Sequence, residues 1–317
     1  MTVAFVGFHG TGKSTYLGAL WMILQDPRDE TMTEVELRGD RSHLQFIGEQ
    51  VARAERLTRT DVESDEGFFV TLQFSDGPVL RLKVPDLSGE GARVLVEDRL
   101  WHPQISAAVA AADAIVLFLS PTSLRLPIRS SFTDEILAEF LLQSDDGLPG
   151  ESSSDGSTGG GEVVVTGKTE EAEPAAVSAT AEVDGADPEE SEEVEFHLRL
   201  ACTAAKTIDA LENILAIRPE GTPLRIGVVI SAWDAVDDSL TPSSWLQQRL
   251  PAVASFLDMN GDRLSVEVFG VSGQGGRLPE QKEELLKKGS VLDRAYARDR
   301  AGASVAFSDP LRWAVAD

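Results

Sequence analysis

The chain has one cysteine, Cys202, in 317 residues. No internal disulfide can form, and such thiol-poor composition suits a reducing compartment. Long apolar runs are missing too. The longest, about residues 107–119, is broken by Asp113, which leaves no helical membrane span. Basic residues are scarce: 28 Lys and Arg stand against 53 Asp and Glu, a net charge of −25. A nucleic-acid binder needs a basic stripe, so neither nucleic acid nor membrane is expected as a partner. The four histidines (His9, His43, His102, His197) form no pair at ligand spacing, which argues against zinc. Met1 enters the first apolar segment almost directly, so no secretory signal is expected and a cytoplasmic location follows. No internal repeat is visible.

The charge is unevenly spread. Residues 145–195 hold sixteen Asp and Glu against one Lys, a net −15, while the remainder carries 37 acidic and 27 basic residues, a net −10. Residues 144–192 are Gly, Ser, Ala, Asp and Glu with almost no large apolar side chains. Such a stretch cannot bury enough surface to offset its ordering entropy. It reads as a disordered acidic insertion between residues 1–143 and 193–317, which form two parts of one domain.

What is present begins at residue 3. Val3 to Val6 reads as a short buried strand and runs into Gly7-Phe8-His9-Gly10-Thr11-Gly12-Lys13-Ser14-Thr15. This is G-x-x-x-x-G-K-S between a strand and a helix with apolar positions at Leu17, Leu20, Trp21 and Leu24, the context the phosphate-binding motif requires. Gly7, Gly10 and Gly12 let backbone N–H groups of the loop, Thr11 included, approach a phosphate. Lys13 reaches the β- and γ-phosphates, and the Ser14 hydroxyl, with Thr15 behind it, opens the helix beside Mg²⁺. The plain alternative is a glycine turn that binds nothing, which does not account for Lys13-Ser14. A nucleoside triphosphate is the expected ligand.

Along the chain, residues 31–38 read as a short strand or loop, and Leu44, Ile47, Val51, Ala54 and Leu57 follow helical spacing. Residues 68–74 and 79–84 form a hairpin around Asp76-Gly77-Pro78. Helix is expected over 91–112 with an interruption at Pro103, and over 131–142. Asp113 to Ser120 is a central parallel strand. Helix returns over 194–217, a strand over 224–230, one helix over 242–257, a last strand over 264–269, and short helices in 279–288 and 310–315. Alternating strands and helices give an α/β, three-layer fold: a mostly parallel sheet with one antiparallel strand from the hairpin and helices on both faces.

The remaining motifs fall at carboxyl ends of strands, where such sheets bind ligands. Asp86 and Gly89 form D-x-x-G: the carboxylate suits Mg²⁺ through a water, and the Gly89 N–H suits the γ-phosphate. Asp234 can accept two hydrogen bonds from N1–H and the 2-amino group of guanine, a donor pair that adenine lacks. Ser272 and Gly273 bring backbone N–H groups toward guanine O6. Each residue alone is an ordinary turn residue; their order is what points to a site.

On these residues the chain resembles a P-loop GTPase of the TRAFAC (translation-factor/Ras-like) class. Gly7–Ser14, Asp86–Gly89, Ser231–Asp234 and Ser272-Gly273 stand for the first, third, fourth and fifth G motifs. The opening through Tyr16-Leu17-Gly18-Ala19-Leu20-Trp21, the Arg59-Thr60 stretch and Asp309-Pro310-Leu311-Arg312-Trp313 are similar to the bacterial double-GTPase families. Those are encoded beside a second GTPase and associated proteins in conflict or defence-type neighbourhoods. The resemblance implies Mg²⁺-dependent hydrolysis of GTP to GDP and a partner that reads the nucleotide state. It implies Thr60, with Thr58 as second choice, as the switch threonine meeting Mg²⁺ and the γ-phosphate, and either Arg59 or an arginine from a partner as the source of transition-state charge. Three departures matter. Ala232 replaces the lysine that packs over the base, so Trp233 or another group must cover it, or affinity is lower. Glu90 replaces the glutamine beside the attacking water; a carboxylate can accept a proton but cannot donate to the γ-phosphate, so hydrolysis unaided is slow. The second motif is a single Thr. A nucleotide-holding scaffold and a P-loop kinase are the rival readings, and the kinase leaves Asp234 unexplained.

Overall fold

Alternation along the first strand decides how the layers form. Strand β1 (Thr2–Val6) sends Val3 and Phe5 into one apolar cluster and Ala4 and Val6 into another. All four are buried, so both faces of the sheet need a cover of helices. The computed structural model describes residues 1–38, 41–57, 68–84, 103–126, 202–218 and 223–316. In chain order, β1 is followed by α1 (Lys13–Leu24), β2 (Met32–Arg38), α2 (Arg41–Ala52), β3 (Phe68–Phe74), β4 (Val79–Val84), α3 (Pro103–Ala110) and β5 (Ala114–Leu119). After residue 201 come α4 (Thr203–Ile217), β6 (Leu224–Ile230), α5 (Pro242–Arg249), α6 (Pro251–Met259) and β7 (Leu264–Ser272). The tail adds α7 (Lys282–Lys287), β8 (Tyr296–Arg298), β9 (Ser304–Val305) and α8 (Asp309–Val315).

Among the described residues the nine strands form one sheet in the order β2-β3-β4-β1-β5-β6-β7-β8-β9. Strands β4, β1, β5, β6 and β7 pair in parallel. Their carboxyl ends therefore share one edge. The sheet is built from chain on both sides of residues 127–201, since β5 pairs with β6 from Ala114↔Arg225 to Leu119↔Ile230. Helices α1, α2 and α8 cover one face and α3 to α6 the other. β5 is buried along its whole length, which explains its unbroken apolar composition. α1 is buried on nearly every side because α2 lies over it. Gly18 permits that crossing: a Cβ there would stand 2.9 Å from the Ile47 carbonyl oxygen.

Several sequence expectations are corrected. Two strands, not one, oppose the rest: β3 pairs antiparallel with β2 and β4, and β8 pairs antiparallel with β7 and β9. The strand over 264–272 is therefore not the last, and it runs on through Ser272. Residues 31–38 resolve as strand β2. Helix α2 stops at Ala52, and Ala54 lies outside it at φ 49; apolar spacing alone cannot reveal a residue in left-handed conformation. Pro103 opens α3 rather than interrupting a helix, in the position where its missing N–H costs nothing. The helix expected over 242–257 is two helices, divided at Leu250 (φ −133, ψ 57), because Pro251 disfavours helical geometry in the residue before it. Of the helix expected over 194–217, the described part is α4, with Cys202 as its cap and the Cys202 sulfur accepting from Ala205 N–H. Residues 131–142 and 144–192, and the part of 91–112 before Pro103, lie outside the described residues.

Candidate nucleotide-binding site

The loop between β1 and α1 is shaped by its neighbours. Gly12 precedes α1 at φ 85, ψ 9, and a Cβ there would stand 2.7 Å from the Cβ and Oγ of Ser231. A Cβ on Gly7 would stand 2.9 Å from the Phe118 carbonyl oxygen. Any larger residue would push the loop off the strand ends. Buried Thr11 closes the turn through Oγ1, which donates to the Phe8 carbonyl at 2.8 Å. Lys13 Nζ donates to the carbonyls of Gly7 at 2.5 Å and Phe8 at 2.9 Å, so its ammonium is held over the loop. Gly10 turns at φ 72 in open space. No side chain caps the start of α1, and no acidic residue lies in its first turn. These features suit an anion at the helix start. Ser14 is exposed there and Thr15 half-buried.

A second cation stands beside this loop. Lys206, in the first turn of α4, places Nζ 5.4 Å from the centroid of the Phe8 ring. Burial, then the nearby charge of Arg125, holds its pKa below the ordinary lysine value.

The adjoining strand ends build a different corner. Ser231 N–H donates to the Leu119 carbonyl at 2.8 Å, and the buried Ser231 Oγ has no hydrogen-bond partner among the described residues. Ala232 sits at φ 46, ψ 44. Asp234 follows in a 3₁₀ turn over 233–235. The fully buried Ser272 donates its hydroxyl to Asp234 Oδ1 and accepts from Gly275 N–H at 2.9 Å. One carboxylate oxygen is thus fixed by the hydroxyl, and a turn of backbone is fixed with it. Gly273 lies against α1: a Cβ there would stand 3.1 Å from the Thr15 carbonyl oxygen. Phosphate loop and carboxylate corner therefore share α1 as a wall. Tyr296, opposite Ser272 in β8, has its pKa raised by burial and by the Asp234 carboxylate.

The chain matches the family model DO-GTPase1, Double-GTPase 1, over residues 4–314. It belongs to the Double-GTPase 1 family. Comparison with curated proteins returns no match. A GTPase-family domain accounts for a phosphate loop and a fixed carboxylate on one sheet edge.

Of the site residues expected from sequence, Gly7 to Thr15, Asp234, Ser272 and Gly273 meet along this edge. Thr58, Arg59, Thr60, Asp86, Gly89 and Glu90 lie outside the described residues. Of the covers expected for the base, Trp233 or another group, Trp233 is not placed to serve: it is buried in the cluster under the sheet, and a Cβ on Gly270 would stand 2.3 Å from its indole. The glycine in β7 exists to admit that ring. Sequence reading also missed Arg277, whose Nε donates to the Asp234 carbonyl at 3.3 Å. It missed the clamp on the end of α2 as well. There Gln274 Nε2 donates to the Glu55 carbonyl at 3.0 Å, Arg56 Nε to the Leu278 carbonyl at 3.2 Å, and buried Arg294 to the carbonyls of Val51 and Ala52. No spacing rule announces such contacts, because each joins distant segments, 43 residues apart for Arg277 and Asp234 and more than two hundred for the clamp on α2.

Proposed function

We propose that the chain binds GTP with Mg²⁺ at this edge and hydrolyses it to GDP and phosphate, slowly when alone. A partner, a second GTPase or an associated protein of a bacterial defence-type system, reads the nucleotide state. The observation that carries the reading is Asp234, a half-buried carboxylate oriented by Ser272, whose neighbour Gly273 packs against Thr15 in the first turn of α1. A carboxylate so placed suits the N1–H and 2-amino donors of guanine.

The described residues fit the nucleotide. The uncapped start of α1 and the close-packed glycines offer backbone donors to phosphates. Lys13 supplies a cation at the loop mouth, and Gly273 brings main chain to the base side. For Mg²⁺, the exposed Ser14 hydroxyl is the described ligand; Asp86 and Thr60 complete the set on sequence grounds. When bound, Mg²⁺ neutralises charge on the β- and γ-phosphates. Glu90 is assigned to accept a proton from the attacking water, with Lys13 and Thr60 holding the γ-phosphate.

The second reading, a scaffold that holds nucleotide with negligible hydrolysis, is favoured by Glu90 in the glutamine position and by Ala232, whose methyl cannot brace the loop as a lysine would. Two measurements on the full chain decide. The nucleotide retained on purification should be a guanine nucleotide; retention of adenine nucleotide, or equal competition by ATP, overturns the guanine reading. Single-turnover phosphate release from bound GTP should be slow but measurable. Bound GTP that releases no phosphate selects the scaffold, and phosphate transfer to an added acceptor reveals a kinase.

A further inference from the structure

A base held at its edge by Asp234 still has two faces to shield from water. Ala232 offers only a methyl group, and Trp233 points into the core beneath the sheet. We propose that the guanidinium of Arg277 lies over the face of the base and supplies the cationic cover that position 232 lacks. This rests on the guanine reading of Asp234.

The geometry favours Arg277 over its neighbours. Its Nε is tied to the main-chain carbonyl of Asp234 at 3.3 Å, which keeps the guanidinium at the backbone of the residue proposed to read the base. Its own N–H donates to Gln281 Oε1 at 2.8 Å, and the next carbonyl, Leu278, accepts from Arg56. The segment is therefore pinned on both sides while the Arg277 side chain remains exposed. Among the described residues Arg277 makes no salt bridge with any carboxylate. A planar cation with an open face stacks well on a purine, and an arginine does so better than a lysine. The other arginine near the corner, Arg298, already lies over the Tyr296 ring at 5.8 Å.

The test uses the full chain and phenylglyoxal, which modifies arginine, with peptide mapping to locate the adduct. GDP should protect Arg277, whereas inorganic triphosphate, which fills only the phosphate loop, should not. In parallel, R277A should weaken GTP and GDP by the same factor, roughly threefold to thirtyfold, and leave affinity for inorganic triphosphate unchanged. Equal modification of Arg277 with and without bound GDP overturns the proposal, and so does an R277A protein of unchanged melting temperature and GDP affinity. The protection experiment needs no variant, so a misfolded R277A does not blunt it. If the unaltered chain binds no guanine nucleotide at all, the reading of Asp234 fails instead, and the two failures are told apart.

Discussion

The phosphate loop and the Asp234 corner of this sheet edge are built in opposite ways. The phosphate loop is six consecutive residues, Gly7 to Gly12, between one strand and the helix that Lys13 opens, and its internal contacts span at most six residues, as between Lys13 and Gly7. The corner proposed for the base joins Asp234, Ser272, Arg277 and Tyr296 from four stretches, with the Asp234 carboxylate held by the hydroxyl of the fully buried Ser272. A contiguous motif carries its own geometry, so substitutions in it act on the ligand. A corner assembled from distant segments carries only as much geometry as the packing beneath it, so substitutions there act on ligand and fold together.

The largest effect expected follows from the first half of that contrast. Lys13→Ala should remove triphosphate binding, a loss of about 3–6 kcal/mol if the ammonium makes two charge-assisted bonds to phosphate oxygens. Its partners in the free chain are loop carbonyls on a half-buried surface, so the melting temperature should stay within a few degrees. Calorimetric titration with GTP and a thermal scan check both. Unchanged GTP affinity would end the phosphate-loop reading.

Asp234→Asn tests the other half. The asparagine amide keeps one acceptor and turns the second into a donor, which opposes the 2-amino group of guanine but meets the 2-carbonyl of xanthine. The cost against GTP should be about 2–4 kcal/mol, enough to invert the preference toward XTP. Competition against a fluorescent nucleotide reads it, and a variant with no turn toward XTP would show that Asp234 does not face the base.

How much of this was legible before any coordinates follows the same division. β1, the loop and α1 were readable because periodicity and motif lie within one stretch, and β5 and β6 because burial on both faces leaves an unbroken apolar run in β5 and one interrupted only by Arg225 in β6. Asp234 and Ser272 were readable as candidates only through their order. That Ser272 holds Asp234 was not, and the burial of Trp233 was not, since a tryptophan after a strand suits a ligand face and a core equally well. β8 and β9, of three and two residues, are too short for alternation to register. The break at Leu250 was announced by Pro251 and outweighed by the apolar spacing around it.

Gly270→Ala would strike the base corner from below. A Cβ there would stand 2.3 Å from the buried Trp233 indole, closer than any real Cβ contact, so the ring or the strand must shift. Overpacking of this kind costs about 1–3 kcal/mol of stability. Because Trp233 directly precedes Asp234, guanine affinity should fall as well, while inorganic triphosphate binding persists. A loss of both ligands in equal measure would mean that the two sides of the edge are not separable.

The smallest effect expected is that of Ser272→Ala. The serine hydroxyl donates to Asp234 Oδ1 and accepts from Gly275 N–H, so the substitution frees one carboxylate oxygen and leaves one backbone donor unpaired. The freed oxygen can turn toward the base or toward water and is not lost to guanine. The net cost is therefore the loss of orientation and one hydrogen bond, about 1 kcal/mol or roughly a fivefold rise in Kd for GTP. The preference for GTP over ATP should survive, since the aspartate proposed to read the base is still present. Cysteine at 272, with its weak donor, should fall between serine and alanine. If alanine abolished guanine selectivity altogether, the hydroxyl and not the carboxylate would be the group that reads the base.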